Sequence, residues 1–272
     1  MLDRVRARVA RRSFDYQWAT LSEGEFVLGD AAFEHDVARI ISAEELRVAA
    51  EWFAGRRVLD AGCGNGRWIR GFVELGCEVT AFDASAHGLQ QVRARHGDGV
   101  RIVQGDVLRA DELLAGERFD LVWCWGVLHH TTSIEQGIRS LARLVADDGL
   151  LYLYLYGAGS LSRRDTTSLA VQRVLMNALP FNVRRRLIER VHGTEKANQV
   201  FDAISTPLNR RVSFQEAAAM VRRVGLAGVT QTIPHTEVFL RAGRGATSAE
   251  PHFLPAPAPP FWFQRESAAA VS

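Results

Sequence analysis

The stretch "VLDAGCGNGRW", residues 58–68, sets Gly62, Gly64 and Gly66 at alternate positions directly after Asp60. A short apolar run that ends in a glycine turn and passes into helical spacing reads as the start of a βα unit. The same phrase recurs downstream. Strands are expected at 57–61, 78–83, 100–106, 119–125 and 150–156, with helical spacing over 67–76, 85–97 and 133–145 between them. Such alternation predicts a parallel sheet covered by helices. A serine-capped helix at 213–226 and two further strands, "VTQTIP" and "TEVFLRA", complete the expected fold class: an α/β protein with a seven-stranded, mostly parallel, Rossmann-like sheet and helices on both faces.

Three segments stand outside that rhythm. Residues 1–55 precede the sheet domain of 56–245 and carry "FDYQW" at 14–18. Their stretch "SAEELRVAAEWF", 42–53, is expected to be an amphipathic helix opened by a capping box from Ser42 to Glu45. A helical insert at 157–211 interrupts the domain with ten basic residues against four acidic. Together the N-terminal segment and the insert are expected to form a lid. Residues 246–272, rich in Pro and Ala, read as a flexible tail in which "FWF" at 261–263 could dock.

Composition narrows the classes. With 272 residues, 47% of them hydrophobic, and a net charge of +2, the chain reads as soluble and globular, with no whole-protein field for nucleic acid. Lys196 is the single lysine against 32 arginines, which is a coding bias rather than a recognition device. Cys63, Cys77 and Cys124 match neither a zinc knuckle nor a disulfide framework, so no metal is expected and a reducing cytoplasm is the expected home. The arginine-rich start lacks the apolar core of a secretory signal, and no run reaches membrane-spanning length.

The glycine loop can be read chemically. A dinucleotide fingerprint, G-x-G-x-x-G, would need glycine at 67, where Arg67 stands. Asp60 would also repel a pyrophosphate. A ligand with a positive end removes the conflict, and S-adenosylmethionine offers an ammonium and a sulfonium without a phosphate. On these grounds a nicotinamide dehydrogenase is disfavoured.

"VLDAGCGNG" resembles the signature loop of class I S-adenosylmethionine-dependent methyltransferases, and the resemblance runs in order from about residue 55 to 156. It implies cofactor contacts from Asp60, Gly62, Cys63, Gly64 and Gly66. It also places Asp83, with Ala84, on the ribose hydroxyls, and Asp106 and Val107 at the adenine. "FDLVWCWGVLHHT", 119–131, resembles the fourth-strand motif of the quinone-biosynthesis type, in which Cys124 and Trp125 pass the methionine end. "SFDYQWATL" is similar to N-terminal segments of sugar and natural-product methyltransferases. Taken singly, Asp83 could cap the helix near Ser85, Asp106 could end a strand in a turn, and the cysteines could be packing groups.

Among the three tyrosines 152, 154 and 156, Tyr156 at the strand end is the substrate-facing candidate. His129 and His130 follow the fourth strand near the expected reactive methyl, where a near-neutral imidazole can take a proton. Structural or capping roles compete for both. Methyl transfer from a sulfonium is an in-line displacement that needs alignment and water exclusion more than a particular side chain. The expected activity is therefore methylation of an oxygen or nitrogen on a small metabolite of sugar or natural-product type, by a monomer or homodimer, releasing S-adenosylhomocysteine. An RNA or protein methyltransferase using the basic insert and a non-enzymatic S-adenosylmethionine-binding regulator are the alternatives.

Overall fold

A computed structural model of the chain describes residues 2–20, 31–159, 162–193 and 197–244. The expected tail, with "FWF" at 261–263, lies outside the described residues. Seven strands are present: β1 Arg57–Ala61, β2 Glu78–Asp83, β3 Arg101–Gln104, β4 Phe119–Trp125, β5 Val145–Leu155, β6 Ala227–Gln231 and β7 Val238–Gly243. They lie in the order β3-β2-β1-β4-β5-β7-β6, with β7 antiparallel to its neighbours. The order reverses between β1 and β4, and there the carboxyl ends of both strands open a crevice suited to a ligand.

Strand alternation divides the core. Val58, Leu121, Trp123 and Tyr152 point to one face, against Phe72 of α3 (Ile69–Glu74) and Val92 of α4 (Ala86–His96). Leu59, Val122, Leu151 and Leu153 point to the other. There they meet Ile138 of α6 (Ile134–Ala142), which follows the short helix α5 (Ala110–Leu113), and Val221 of α10 (Phe214–Arg223). Serines open the helices as the spacing predicts: Ser85 and Ser133 accept from the third helical N–H, and Ser213 with Glu216 makes a full capping box.

The stretch 42–53 departs from its expected helix. It follows α2 (Ala31–Arg39) as a turn of π-helix at Ile40–Leu46, stops at Arg47 with φ of +58°, and resumes as a short 3₁₀ turn at Ala50–Phe53. No capping box forms, because Ser42 sits inside the continuing helix and its hydroxyl donates to the Ala38 carbonyl at 2.9 Å. Glu45 turns inward instead, fully buried, and accepts from the Tyr152 hydroxyl. Val37, Ile40, Ile41 and Phe53 bury against the sheet's own helices, so residues 33–53 share the core of the sheet domain.

α1 (Leu2–Thr20) and the insert helices α7 (Arg163–Asn177), α8 (Phe181–His192) and α9 (Ala197–Ser205) build a separate small core. Phe201 and Ile204 of α9 are buried in it, and Tyr16 of α1 stacks between Phe181 and Phe201. Among the described residues no helix is long and apolar enough to cross a membrane.

An aromatic column fills the main core beneath the crevice. Trp123 stacks on Tyr152 at 4.3 Å and takes the edges of Trp68 and Phe72. Trp123→Ala is expected to cost about 3–5 kcal/mol of unfolding free energy by leaving a cavity, and Trp123→Phe clearly less, as read by urea denaturation.

Candidate functional site

Each part of the site comes from the end of a strand. β1 delivers Asp60 and the loop after it, which turns sharply enough that Gly62 has φ of +88° and Gly64 of +55°. A Cβ at Gly62 would lie 2.3 Å from Val127, and one at Gly64 would lie 2.6 Å from the Trp18 ring. Both positions therefore require glycine for conformation and for space. The Trp18 contact is the first sign that α1 covers this loop.

Asp83, at the end of β2, ties the turn together. Its Oδ2 accepts from Gly64 N at 2.8 Å and its Oδ1 from Ser85 N at 2.7 Å. A carboxylate offers about four acceptor positions, so roughly two stay open for hydroxyls. The expected capping role and the expected ligand role are thus compatible in one side chain.

Asp60 is the electrostatic anomaly. It is 1% exposed, and its Oδ2 has no hydrogen-bond partner among the described residues. Burial, reinforced by the charge of Asp83 and opposed by Arg67, pushes its carboxyl up to about 8. Arg67 sits over the Trp125 ring at 4.6 Å and the Trp68 ring at 5.4 Å. Burial lowers its guanidinium to about 10, against the pull of Glu45, the tyrosines and Asp60. Glu45 is itself raised to about 8 by burial. A buried, unpaired carboxylate asks for a cation.

The remaining expected cofactor residues gather at the same edge. Cys63 and Cys124 are buried with thiols pushed up by burial, which makes them packing groups. Trp125 tilts against Tyr154 at 4.4 Å, and Val107 is buried in the neighbouring core. Ala84 is partly exposed beside Asp83. Asp106 caps its own 3₁₀ turn through Leu108 N, and its other oxygen accepts from Arg11 of α1 at 2.7 Å. Asp15 of α1 accepts from the Ser85 hydroxyl at 2.7 Å and lies 3.0 Å from His87. α1 thus touches the ends of β1, β2 and β3 together.

The histidines occupy closed positions. His129 is fully buried and stacks on Tyr156 at 3.8 Å; its Nδ1 accepts from Tyr156 N at 3.4 Å, while Nε2 has no partner among the described residues. Burial, His130 and Arg211 hold it well below the usual imidazole range. The acceptor role of Nδ1 assigns the proton to Nε2, so His129 presents a neutral N–H donor.

His130 has its Nδ1 at 2.9 Å from the Leu208 carbonyl and its Nε2 at 3.4 Å from Asp202 Oδ2. Both ring nitrogens face acceptors, but only Nδ1 makes a hydrogen bond; Nε2 has no hydrogen-bond partner among the described residues. The Tyr156 hydroxyl donates to the same Asp202 oxygen at 3.1 Å. Burial alone would raise Asp202, but the charge of His130, with Tyr156 and Thr206, holds it below the usual carboxylate range.

Asp202, Glu45, Asp15 and Trp18 escaped the sequence reading as site residues. One signal was available for Asp202: it is a lone acid in "VFDAIS", 200–205, flanked by Phe201 and Ile204, which are both buried.

A family profile described as a methyltransferase domain matches residues 33–207, more than half of the chain. The malonyl-(acyl-carrier protein) O-methyltransferase of Enterobacter lignolyticus is 37% identical over 130 residues, covering 47% of this chain and 50% of that protein. A ubiquinone biosynthesis O-methyltransferase of Mesorhizobium japonicum is 31% identical over 106 residues, covering 39% and 43%. The chain therefore spans half or less of the length of these curated relatives.

Two solved structures share the fold. The Burkholderia thailandensis 1,6-didemethyltoxoflavin-N1-methyltransferase, with S-adenosylhomocysteine bound, superimposes with a TM-score of 0.53 at 20% identity, covering 89% of this chain and 90% of that one. An O-methyltransferase family protein of the same organism gives a TM-score of 0.53 at 15% identity, covering 78% and 58%.

Asp60 sets a testable linkage. Its carboxyl rises from an ordinary 3.8 to about 8, so the folded protein keeps a proton that the unfolded chain loses. Its contribution to stability therefore falls as pH rises through that window. A bound cation reverses the shift and expels the proton. Calorimetry with S-adenosylmethionine at pH 7, in buffers of different ionisation enthalpy, should show proton release for the wild type and none for Asp60→Asn. Absence of release in the wild type would refute the assignment.

Proposed function

The chain belongs to the methyltransferase-domain family, and we propose that it transfers a methyl group from S-adenosylmethionine to an oxygen of a small metabolite. The observation that carries this reading is the buried Asp60 carboxylate with an unpartnered oxygen, at the mouth of a loop whose glycines leave no room for side chains. Those residues fit the cofactor: Asp60 faces its cationic end, and Asp83, fixed by Gly64 and Ser85, keeps acceptor positions for the ribose. Trp125 and Cys124 would flank the methionine portion. Asp106 and Val107 flank the adenine, with Arg11 already on one Asp106 oxygen. When bound, the cofactor supplies a methyl group carried on a sulfonium.

The chain's own residues then have to align the acceptor and keep water out. α1 does the second task by laying Trp18 on Gly64 and Phe14 edge-on to His130 at 5.0 Å. α1 and the insert at 157–211 together form the lid. His129, neutral and with Nε2–H unused, suits donation to an acceptor oxygen better than removal of its proton. His130 serves to dock Asp202, and with it the insert, onto the end of β4. Oxygen is preferred over nitrogen because the curated relatives described above are named O-methyltransferases. An acceptor of sugar or natural-product type follows from the aromatic residues of α1.

The decisive assay is formation of S-adenosylhomocysteine from S-adenosylmethionine across a panel of small hydroxylated acceptors. Asp83→Ala should weaken cofactor binding on the order of 100-fold, the worth of two charge-assisted hydrogen bonds. His129→Ala should lower kcat/KM roughly tenfold without moving the acid limb of the pH profile. An unchanged affinity in the first variant, or a shifted limb in the second, would contradict these two roles.

A further inference from the structure

The insert carries an apolar surface where a helix hairpin facing water should be polar. On α8, Arg186, Leu187, Arg190 and Val191 stand at i, i+1, i+4 and i+5, one helical face, and all four are exposed. On α7, Arg164, Val171, Val174 and Leu175 share an exposed face in the same way. The five apolar side chains are between 43% and 73% exposed. Among the described residues, only three other large apolar side chains are as open, and one of these, Val5, is on α1.

These faces belong to one end of the molecule. α1, α7 and α8 each pack on α9, which is buried among them, so their free sides all look away from it. Arg164, Arg186 and Arg190 make no ion pair or hydrogen bond among the described residues. Arg173, Arg184 and Arg185, by contrast, are spent on internal bonds to Ala203, Ser205 and Glu189. The exposed end is thus apolar residues interleaved with free arginines, on a segment whose charges sum to +6 from ten basic and four acidic residues.

We propose that this end docks on an anionic lipid surface. Two observations favour lipid over an acidic protein. Arginines alternate with Leu187 and Val191 along the face of α8, and Arg164 leads the apolar face of α7, as in an interfacial helix whose apolar groups enter the headgroup boundary while guanidiniums meet phosphates. The recess beside Arg164 and Val171 on this face is also wide open rather than enclosed, so a deformable surface matches it better than a shaped partner.

The test is sedimentation of the full chain with vesicles of phosphatidylcholine alone and of phosphatidylcholine mixed with phosphatidylglycerol, at low and high salt. The protein should pellet with the mixed vesicles and not the neutral ones, and salt should weaken the association. Arg186→Glu with Arg190→Glu should reduce binding roughly tenfold or more, at about 1 kcal/mol per basic residue near the surface. Val174→Asp with Leu175→Asp should also abolish pelleting, and both double variants should keep the wild-type unfolding temperature and S-adenosylmethionine affinity. Equal pelleting of wild type and variants overturns the proposal. So does retention in the supernatant with mixed vesicles, and binding instead to soluble polyglutamate would assign the face to an acidic protein. Neither result depends on the methyl-transfer reading.

Discussion

Asp83 makes the site a single object. Its two oxygens take N–H groups from consecutive βα turns, Gly64 in the first and Ser85 in the second, so the glycine loop cannot move without the end of β2. The loop in turn fixes where Asp60 stands, and α1 is registered on the same residues through Ser85 and Gly64. Asp83 is half-buried and carries these bonds on a charged group, so losing either would cost more than an ordinary neutral surface hydrogen bond. Glycine loop, α1 and strand end therefore hold one geometry.

The site's charges are arranged to be incomplete. Asp60 and Glu45 are buried and Asp83 half-buried, each with its acidity suppressed by burial, and Arg67 is the guanidinium that pulls on Asp60 and Glu45. Asp83 finds backbone and one Glu45 oxygen finds Tyr152, but the other Glu45 oxygen and one Asp60 oxygen find no hydrogen-bond partner among the described residues. A core that tolerates such a group gives up stability that a ligand can return. Past the end of β4 the charges are arranged differently, with His130 and Tyr156 converging on Asp202 from three chain segments.

Much of the fold was legible because strands of a parallel sheet are written locally, as apolar runs ended by turn residues. β1, β2 and β4 fall within the boundaries expected from sequence, and the serine caps of α4, α6 and α10 fall on the residues that spacing selects. What failed was a local pattern overridden by a distant partner. Ser42 and Glu45 have the spacing of a capping box, yet Tyr152, more than a hundred positions away, claims Glu45. The residues expected at a cofactor could be located for the same reason as the strands, since Asp60, Asp83 and Asp106 follow predictable strand ends. The contacts of Asp202 and Asp15 could not, because Asp202 lies on α9, a helix without a motif, and the resemblance of the segment around Asp15 does not say that α1 crosses the strand ends.

Arg67 shows how a compositional habit can acquire local meaning. Over most of the surface, arginine in place of lysine changes little. Beneath Trp125 and Trp68 the same burial that brings the guanidinium down to about 10 would act on an ammonium with a lower starting point. A lysine at 67 would be carried toward neutrality and would surrender its proton part of the time. A replacement that conserves charge on paper would thus make the charge conditional on pH, and the carboxylates around it would hold a cation that they could lose without any visitor.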